Sequence, residues 1–263
     1  MNRIKKAFEN KKAFIAFITG GDPDIETTEK LVIALTEAGA DIIEIGIPFS
    51  DPIAEGAVIQ EASERSLANG CTVDKLFEMV KRVREKVDTP LLFMTYINPV
   101  FVYGKEQFMK KCADCGIDGI IVPDLPFEES DELSYICEQH GITQISMIAP
   151  TSEERIKMIA ENAGGFLYCV SSLGVTGVRS EINTGVSEMI QKVKAVSSVP
   201  CAVGFGISTP EQARDMAAVS DGVIIGSAIV RLAAEYGRDC EGPVKKYARE
   251  IKYAMENKNL CRK

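Results

Sequence analysis

The chain has 263 residues, of which 46% are hydrophobic and 26% charged, a composition typical of a folded globular protein and not of a disordered or fibrous one. Its 30 lysines and arginines stand against 38 aspartates and glutamates, and the net charge of −8 leaves no basic stripe for a nucleic-acid backbone or an anionic membrane. The sequence has no apolar run that could span a bilayer, and its start lacks the pattern of a secretory leader. We therefore expect a cytoplasmic protein that binds neither nucleic acid nor membrane.

Short apolar runs rich in valine, isoleucine and phenylalanine recur along the chain, separated by longer segments of helical period. The runs are residues 14–19, 41–46, 91–95, 119–122, 143–148, 165–170, 201–204 and 222–225. Strands that alternate with crossover helices in this way, in a chain close to the typical length of about 250 residues, indicate a closed barrel. The predicted fold is therefore α/β, a single (β/α)8 barrel domain over residues 1–263 with extra helices at the N-terminus and after strand 2.

The helices have sequence signals of their own. Asp24 can cap the first crossover helix, which ends before Gly39. The longest gap between two runs, residues 47–90, has room for two helices, near 58–67 and near 73–86. The last helix has an apolar stripe that can pack on the outside of the barrel, formed by Val244, Tyr247, Ala248, Ile251 and Met255.

The cysteines and the histidine exclude several kinds of site. Eight scattered cysteines predict reduced thiols and no disulfide framework. The close pair Cys112 and Cys115 shares a helical face with Phe108, which favours a buried helix face over a redox or zinc site. The one histidine, His140, falls at a helix end before Gly141. We therefore expect no metal site and no histidine base, and assign proton transfer to carboxylates or tyrosine.

Two glycine-bearing turns follow the last two apolar runs. They are Gly204-Phe205-Gly206, which continues into Ile207 and Ser208, and Gly226-Ser227, which opens a helix. Glycines let backbone amides approach an anion closely, and the start of a helix adds a partial positive charge. Because barrels often bind phosphate after strands seven and eight, we predict a phosphate site here, with tight turns alone as the alternative.

Glu44 lies between Ile43 and Ile45 in a predicted strand, so alternation directs its side chain into the barrel. A carboxyl buried there has a raised pKa and can both give and take a proton near neutral pH. A structural ion pair with a lysine or arginine is the alternative. No lysine ends any of the eight runs, so an imine-forming aldolase would lack its nucleophile.

Two loops complete the candidate site. The loop after the second strand is stiffened by Pro48 and Pro52 and contains a second carboxylate, Glu55. The loop after the sixth strand reads SSLGVTGVR over residues 171–179 and is interpreted either as a mobile lid or as a plain surface loop. A pair of carboxylates on one strand and its loop could bracket a substrate.

Taken together, these segments resemble the alpha subunit family of tryptophan synthase over nearly the whole chain. The matching segments are FITGGDPD from Phe17, EIGIPFSDP from Glu44, MTYINPV from Met94, VPDLPFEES from Val122, Tyr168 with GVTG from Gly174, GFGIS from Gly204 and GSAIV from Gly226. The resemblance implies a lyase that cleaves indole-3-glycerol phosphate into indole and glyceraldehyde 3-phosphate by a reverse aldol reaction, with no cofactor in this chain. Two alternatives stay open: a non-catalytic barrel that activates a beta subunit, and another phosphate-binding barrel enzyme such as an isomerase or decarboxylase.

The resemblance also implies roles for individual residues. Glu44 matches the family's acid-base glutamate, and Glu55 stands where the family usually has an aspartate that hydrogen-bonds the indole nitrogen. Ser172 and Leu173 replace an arginine-containing sequence common in relatives. The implied substrate-binding residues are Phe17, Tyr96 and Tyr168 around the indole, Thr176 in the lid, and Gly177, Gly204, Phe205, Gly206, Gly226 and Ser227 around the phosphate.

A partner follows from the same resemblance. The family passes indole through a tunnel to a beta subunit that carries pyridoxal phosphate, in an alpha2beta2 assembly. We therefore expect pyridoxal phosphate only in the partner and a partner-facing surface on this chain. The residues implied for that surface are Pro48, Phe49, Asp51, Asn98 and Pro99.

Overall fold

The computed structural model describes residues 3–150, 152–170, 179–204 and 206–257. Its parallel strands close into a barrel in which each strand pairs with the next and β8 pairs with β1. The strands are β1 Ala13–Thr19, β2 Ile42–Gly46, β3 Leu91–Met94, β4 Gly119–Ile121, β5 Thr143–Ile148, β6 Leu167–Val170, β7 Cys201–Gly204 and β8 Gly222–Ile225. The predicted (β/α)8 barrel is therefore confirmed, while a single domain over residues 1–263 stays a prediction.

Helices surround the barrel. They are α1 Arg3–Ala7, α2 Ile25–Glu37, α3 Ala57–Ala68, α4 Val73–Arg84, α5 Ile97–Tyr103, α6 Lys105–Cys115, α7 Asp131–Gln139, α8 Glu153–Asn162, α9 Arg179–Lys194, α10 Pro210–Val219, α11 Ser227–Tyr236 and α12 Glu241–Glu256. The extra helices predicted at the N-terminus and after strand 2 are confirmed as α1 and the pair α3 and α4. No helix in the described residues is long and apolar enough to cross a bilayer.

Apart from shifts of one or two residues at the ends of other elements, two local details differ from the sequence prediction. The sixth strand begins at Leu167 and not at Gly165, because Gly165 has a φ of +64°, which is incompatible with an extended strand. The short helix α5 after β3, which contains Pro99, is an addition to the predicted elements. Pro99 is tolerated because it lies in the first turn, where a backbone N–H has no helical partner.

Alternation along the strands separates two apolar layers. Residues such as Ile15, Ile42 and Leu92 point inward and fill the barrel near its N-terminal end, where α1 contributes Ile4. Their neighbours in the strands point outward into a larger shell between the sheet and the helices. The inward positions at the carboxyl ends of the strands are therefore left for a site.

The predicted buried helix face of Cys112 and Cys115 and the helix-end position of His140 are confirmed. Cys112 and Cys115 are buried in the outer shell, and burial raises the pKa of Cys115 to about 11, which keeps the thiol protonated. His140 is the C-cap residue of α7, with its Nε2 3.3 Å from a carboxylate oxygen of Glu106. Among the described residues, no three histidine, cysteine or acidic side chains are grouped as metal ligands.

The N-cap of α2 provides a test of the fold. The Asp24 side chain accepts a hydrogen bond of 2.7 Å from the Thr27 amide, as the sequence predicts. We expect Asp24→Ala to lower the free energy of unfolding by about 1 kcal/mol, because an amide at the helix start loses its acceptor. Urea denaturation measures this loss. Asp24→Asn, which also caps, should keep most of the stability, and equal losses in the two variants would contradict the capping role.

Candidate active site

The candidate active site is built around Glu44, at the centre of β2. Its side chain points into the barrel, because Ile43 and Ile45 on either side belong to the outer shell. The register pairs Glu44 with Phe17 of β1 and with Leu92 of β3. Glu44 therefore lies above the apolar inner core, where closure of the barrel keeps bulk water away.

Burial determines the ionisation of Glu44. The residue is fully buried, and in the described residues neither carboxyl oxygen has a hydrogen-bond partner. Burial raises the pKa of Glu44 from an ordinary 4.5 to about 8, since the charged form loses its hydration. The structural alternative, an ion pair with a lysine or arginine, is not seen within the described part of the chain. The carboxyl is available to a ligand and is mostly protonated at pH 7.

Tyr168 lies in β6, across the barrel interior from β2, and its hydroxyl is close enough to Glu44 to be affected by the charge of that carboxyl. Burial, and next the charge of Glu44, raise the pKa of Tyr168 well above its ordinary value, so its hydroxyl stays protonated. Its ring lies against β7, where a Cβ on Gly204 would come within 2.7 Å of the Tyr168 oxygen. Gly204 is therefore needed in β7 to make room for this tyrosine.

Phe17 forms the wall of the site on the β1 side. Its ring covers Gly46, where a Cβ would meet the Phe17 Cζ at 2.6 Å, and its Cβ lies close to Gly226. Ile59 and Ala62 of α3 and Val230 of α11 pack on the same ring. The extra helix α3 therefore helps to fix an aromatic wall of the site.

The loop after β2 carries Glu55 and is held from two sides. The Ala54 amide donates to the Tyr96 hydroxyl at 3.0 Å, and the Gln60 side chain donates to the Glu55 carbonyl at 2.8 Å. The Tyr96 ring also packs on Phe49, with 5.3 Å between centroids. Glu55 is half-buried, and burial raises the pKa of its carboxyl. Tyr96 thus holds this loop in place through its hydroxyl, a role that the sequence did not indicate.

The predicted phosphate turns lie at adjacent strand ends. Gly226 is the N-cap of α11, and in the described chain no side chain caps this helix, although the Ile229 amide bonds to the Gly226 carbonyl at 2.9 Å. The partial positive charge of the helix start is therefore not offset by a capping side chain. After β7, Gly206 has a φ of +73°. The following segment is fixed because Gln212 accepts from the Ser208 amide at 2.8 Å and Tyr247 donates to the Ser208 carbonyl at 2.9 Å. Ser227 is exposed at the start of α11.

Three predicted substrate residues lie outside the described residues: Thr176 and Gly177 in the loop after β6, and Phe205 after β7. The predicted lid, residues 171–179, also lies outside the described residues, except for Arg179, the first residue of α9. The described residues therefore bring together Glu44, Phe17, Tyr168 and the turns at Gly204 and Gly226.

The residues predicted to face a partner are exposed to different degrees. Pro48 is buried, Phe49 and Pro99 are half-buried, and Asp51 and Asn98 are exposed. The same surface contains three strongly exposed apolar side chains that the sequence prediction missed. They are Ile53, Phe101 and Val102, which are 79%, 66% and 77% exposed.

Other inward residues near the mouth were also missed. Met94 and Met147 pack on the inner core and remain partly exposed, as expected for a cavity wall. Met147 and Val170 are among the residues that line a cavity of about 600 Å³ beside the ends of β4, β5 and β6. Thr19, two residues beyond Phe17, is buried, and its hydroxyl has no hydrogen-bond partner in the described chain. Strand alternation could have identified all four as inward-facing.

The chain resembles known proteins over almost its full length. Residues 4–260 match the family "Tryptophan synthase alpha chain". The tryptophan synthase alpha chain of Lacticaseibacillus casei is 46% identical over 258 residues, which cover 98% of this chain and 97% of the relative.

Solved structures give the same result. Tryptophan synthase subunit alpha from Legionella pneumophila has a TM-score of 0.89 at 39% identity, with 98% of this chain and 99% of that chain covered. A chain from a study of mutual activation in the tryptophan synthase a2b2 complex of Pyrococcus furiosus has a TM-score of 0.85 at 38% identity, with 92% and 99% covered.

The raised pKa of Glu44 gives a testable pH dependence of stability. The unfolded carboxyl ionises near 4.5 and the folded one near 8, so between these values unfolding releases a proton. The stability of the wild-type chain relative to Glu44→Gln should therefore be greatest below pH 4.5, fall as the pH rises to 8, and then level off. Urea denaturation of both chains across this range measures the difference. A difference that is independent of pH would show that Glu44 is not buried as described.

Proposed function

The chain belongs to the tryptophan synthase alpha chain family and is therefore a lyase that cleaves indole-3-glycerol phosphate to indole and glyceraldehyde 3-phosphate in tryptophan biosynthesis; we propose that Glu44 and Glu55 carry this reaction. The observation that supports the proposal is the fully buried Glu44 carboxyl, without a hydrogen-bond partner among the described residues and with a pKa of about 8. Such a group is poised to exchange a proton with a bound substrate near neutral pH.

The reaction needs two proton transfers, and Glu44 supplies both. The protonated carboxyl first donates to C3 of the indole ring, which leaves an electron-accepting iminium form and a carboxylate. That carboxylate then takes the proton of the adjacent glycerol hydroxyl. As the carbon–carbon bond breaks, its electron pair returns to the ring, the hydroxyl carbon becomes the aldehyde, and Glu44 ends protonated. A carboxyl whose pKa lies near the working pH serves both steps.

Glu55 stabilises the positive charge that develops on the indole nitrogen. This role needs a carboxylate that accepts the N–H hydrogen bond, and Glu55 is longer than the family's usual aspartate by one methylene, about 1 Å of reach. The loop is held by Tyr96 at the Ala54 amide and by Gln60 at the Glu55 carbonyl. We infer that the loop is set back by a corresponding distance, so that the longer side chain still meets the nitrogen.

The rest of the substrate lies between the aromatic walls and the glycine turns. Phe17, Tyr96 and Tyr168 enclose the indole ring, and the missed residues Met94 and Met147 extend this apolar wall. The phosphate binds the amides of Gly204, Gly206 and Gly226 and the Ser227 hydroxyl, with the first turn of α11 directed at it. Phe205, Thr176 and Gly177 complete the proposed site from the segments outside the described residues.

The proposed partner is a beta subunit. The a2b2 complex is named for the Pyrococcus furiosus relative, and we extend it to this chain because the loop after β2 and helix α5 present exposed apolar side chains beside the proposed site. Ile53, Phe101 and Val102 form this surface together with Phe49, Asp51, Asn98 and Pro99. We propose that pyridoxal phosphate is bound by that partner, that this chain uses side chains alone, and that the assembly is cytoplasmic.

The first test of this function is the release of indole from indole-3-glycerol phosphate by the purified chain, with and without a tryptophan synthase beta subunit. Glu44→Gln should lower kcat on the order of 10²- to 10⁴-fold, because a general acid-base group is lost while the shape of the side chain is kept. The matched control is Glu78→Gln, which removes an exposed carboxyl on α4 and should change nothing. Stimulation of the beta reaction without any indole release would instead identify a non-catalytic activator.

The second test concerns the length of the Glu55 side chain. Glu55→Ala should lower kcat about 100-fold or more, because the charge on the indole nitrogen loses its counter-charge. Glu55→Asp should be intermediate, since it keeps the charge but withdraws it from a loop that is set for glutamate. Glu55→Gln separates charge from length and should resemble Glu55→Ala. Cleavage by Glu55→Ala at the rate of the unchanged chain would refute the role.

A further inference from the structure

Asp22 is a buried carboxylate at the end of the barrel that the reaction does not use. It lies in the loop between β1 and α2, is 2% exposed, and makes a two-pronged ion pair with Arg65 of α3. The Nε of Arg65 lies 2.9 Å from one carboxylate oxygen of Asp22, and the Nη2 lies 2.8 Å from the other. The last turn of α3 is therefore fixed in both distance and orientation.

Stability alone does not explain such a pair. Burial of a carboxylate costs hydration free energy, and an apolar contact of similar volume often stabilises a protein equally well. A planar guanidinium that meets a carboxylate with two parallel bonds adds geometric restriction, which apolar packing or a lysine lacks. The pair therefore restricts both the position and the angle of α3.

The same end of α3 makes two more bonds to the loop after β1. The Ser66 hydroxyl donates to the Gly20 carbonyl at 2.7 Å, and the Asn69 side chain donates to the Pro23 carbonyl at 2.7 Å. Three side chains within five positions of one helix thus bind one short loop. Residues 20–23 follow directly after β1, so α3 is tied to the rigid barrel through its C-terminal end.

The opposite end of α3 begins two residues after Glu55. There the Gln60 side chain holds the Glu55 carbonyl, and the amides of Ile59 and Gln60 bond to the Gly56 carbonyl. Between the two ends, Ile59 and Ala62 pack on Phe17. A 12-residue helix spans about 18 Å as a rigid rod, so a change of angle at Arg65 moves the segment that contains Glu55.

We propose that the Asp22–Arg65 ion pair is a positioning device that orients α3 and thereby sets the location of the Glu55 carboxylate. The proposal rests on the function proposed above, in which Glu55 meets the indole nitrogen. Arg65 and Asp22 touch neither substrate nor reacting atoms; they act through α3 and Gln60. The turn after β7 is held by Gln212 and Tyr247 and not by α3.

The experiment starts from Arg65→Lys, which keeps the charge but loses the fork geometry. Indole release should show a fall in kcat of about 10- to 100-fold, because a displacement near 1 Å is enough for such a loss. KM for indole-3-glycerol phosphate should change by a smaller factor than kcat, since the turn after β7 on the phosphate side is held by Gln212 and Tyr247 and not by α3. The matched control is Arg82→Lys, the same change in the ion pair that joins Arg82 of α4 to Glu29 of α2, and it should leave kcat unchanged.

A double-mutant cycle separates positioning from a general loss of structure. In a Glu55→Ala background, Arg65→Lys should have little further effect on kcat, because the group that it positions is already absent. Hydrogen exchange of the amides of residues 54–60 provides a readout that does not depend on activity, and it should be faster in Arg65→Lys than in Arg82→Lys. Asn69→Ala removes one anchor without leaving a buried charge and should shift exchange and kcat in the same direction by a smaller factor.

The rate of indole release and the hydrogen exchange of residues 54–60 decide the proposal. Wild-type kcat in folded Arg65→Lys, or an equal loss in the Glu55→Ala background, overturns the proposal. If Arg65→Lys does not fold, Asn69→Ala decides in the same way, through kcat and the exchange of residues 54–60. If the unchanged chain releases no indole, the function proposed above fails, while faster exchange at residues 54–60 still supports the anchor and unchanged exchange rejects it.

Discussion

An uncompensated carboxyl in the interior of a closed barrel is the constraint on which this site depends. Glu44 occupies a position that apolar side chains fill in the layer below, and its burial raises its pKa to about 8. The rigid, hydrogen-bonded wall of strands prevents the chain from relaxing around the carboxyl or admitting solvent to it. The free-energy cost of this burial falls on the stability of the whole barrel, and in the proposed function the benefit is a proton donor and acceptor that works near neutral pH.

The remaining parts of the site are distributed between rigid strands and supported loops. Strand residues supply the proposed proton-transfer group and the aromatic walls, where Gly46 and Gly204 leave room for Phe17 and Tyr168. Loop residues supply the proposed second carboxylate and anion turns, and side chains fix the loops after β2 and β7. Tyr96 and Gln60 hold the loop of Glu55, and Gln212 holds the turn after β7. Such anchoring by packed side chains restricts the positions that a loop group can take.

The extra helix α3 connects these two kinds of support. It covers Phe17 with its middle, holds Glu55 with its first turn, and is bound to the loop after β1 by its last turn. In a barrel without this insertion, the loop after β2 would have to position a carboxylate without a rigid support. The buried Asp22–Arg65 pair is then understood as a geometric restraint, in the same way that the buried Glu44 is understood as a chemical group and not as a source of stability.

The sequence by itself determined the architecture and the identity of the central carboxyl. Alternation of apolar and polar residues is local, so the eight strands, the two helices before β3 and the inward direction of Glu44 could all be predicted from it. The cap at Asp24 and the buried face of Cys112 and Cys115 were equally local. Family resemblance added the substrate and the other site residues.

Only the tertiary structure decided which distant residues meet. The bond from Ala54 to Tyr96 and the pairing of Asp22 with Arg65 join residues that are 42 and 43 positions apart. The lack of a hydrogen-bond partner for Glu44 in the described residues likewise depends on which side chains surround it. No periodicity encodes such contacts, because they depend on how helices and loops settle on the closed barrel. The start of β6 also differs from the prediction, because the φ of +64° at Gly165 excludes an extended strand there and hydropathy does not indicate that angle.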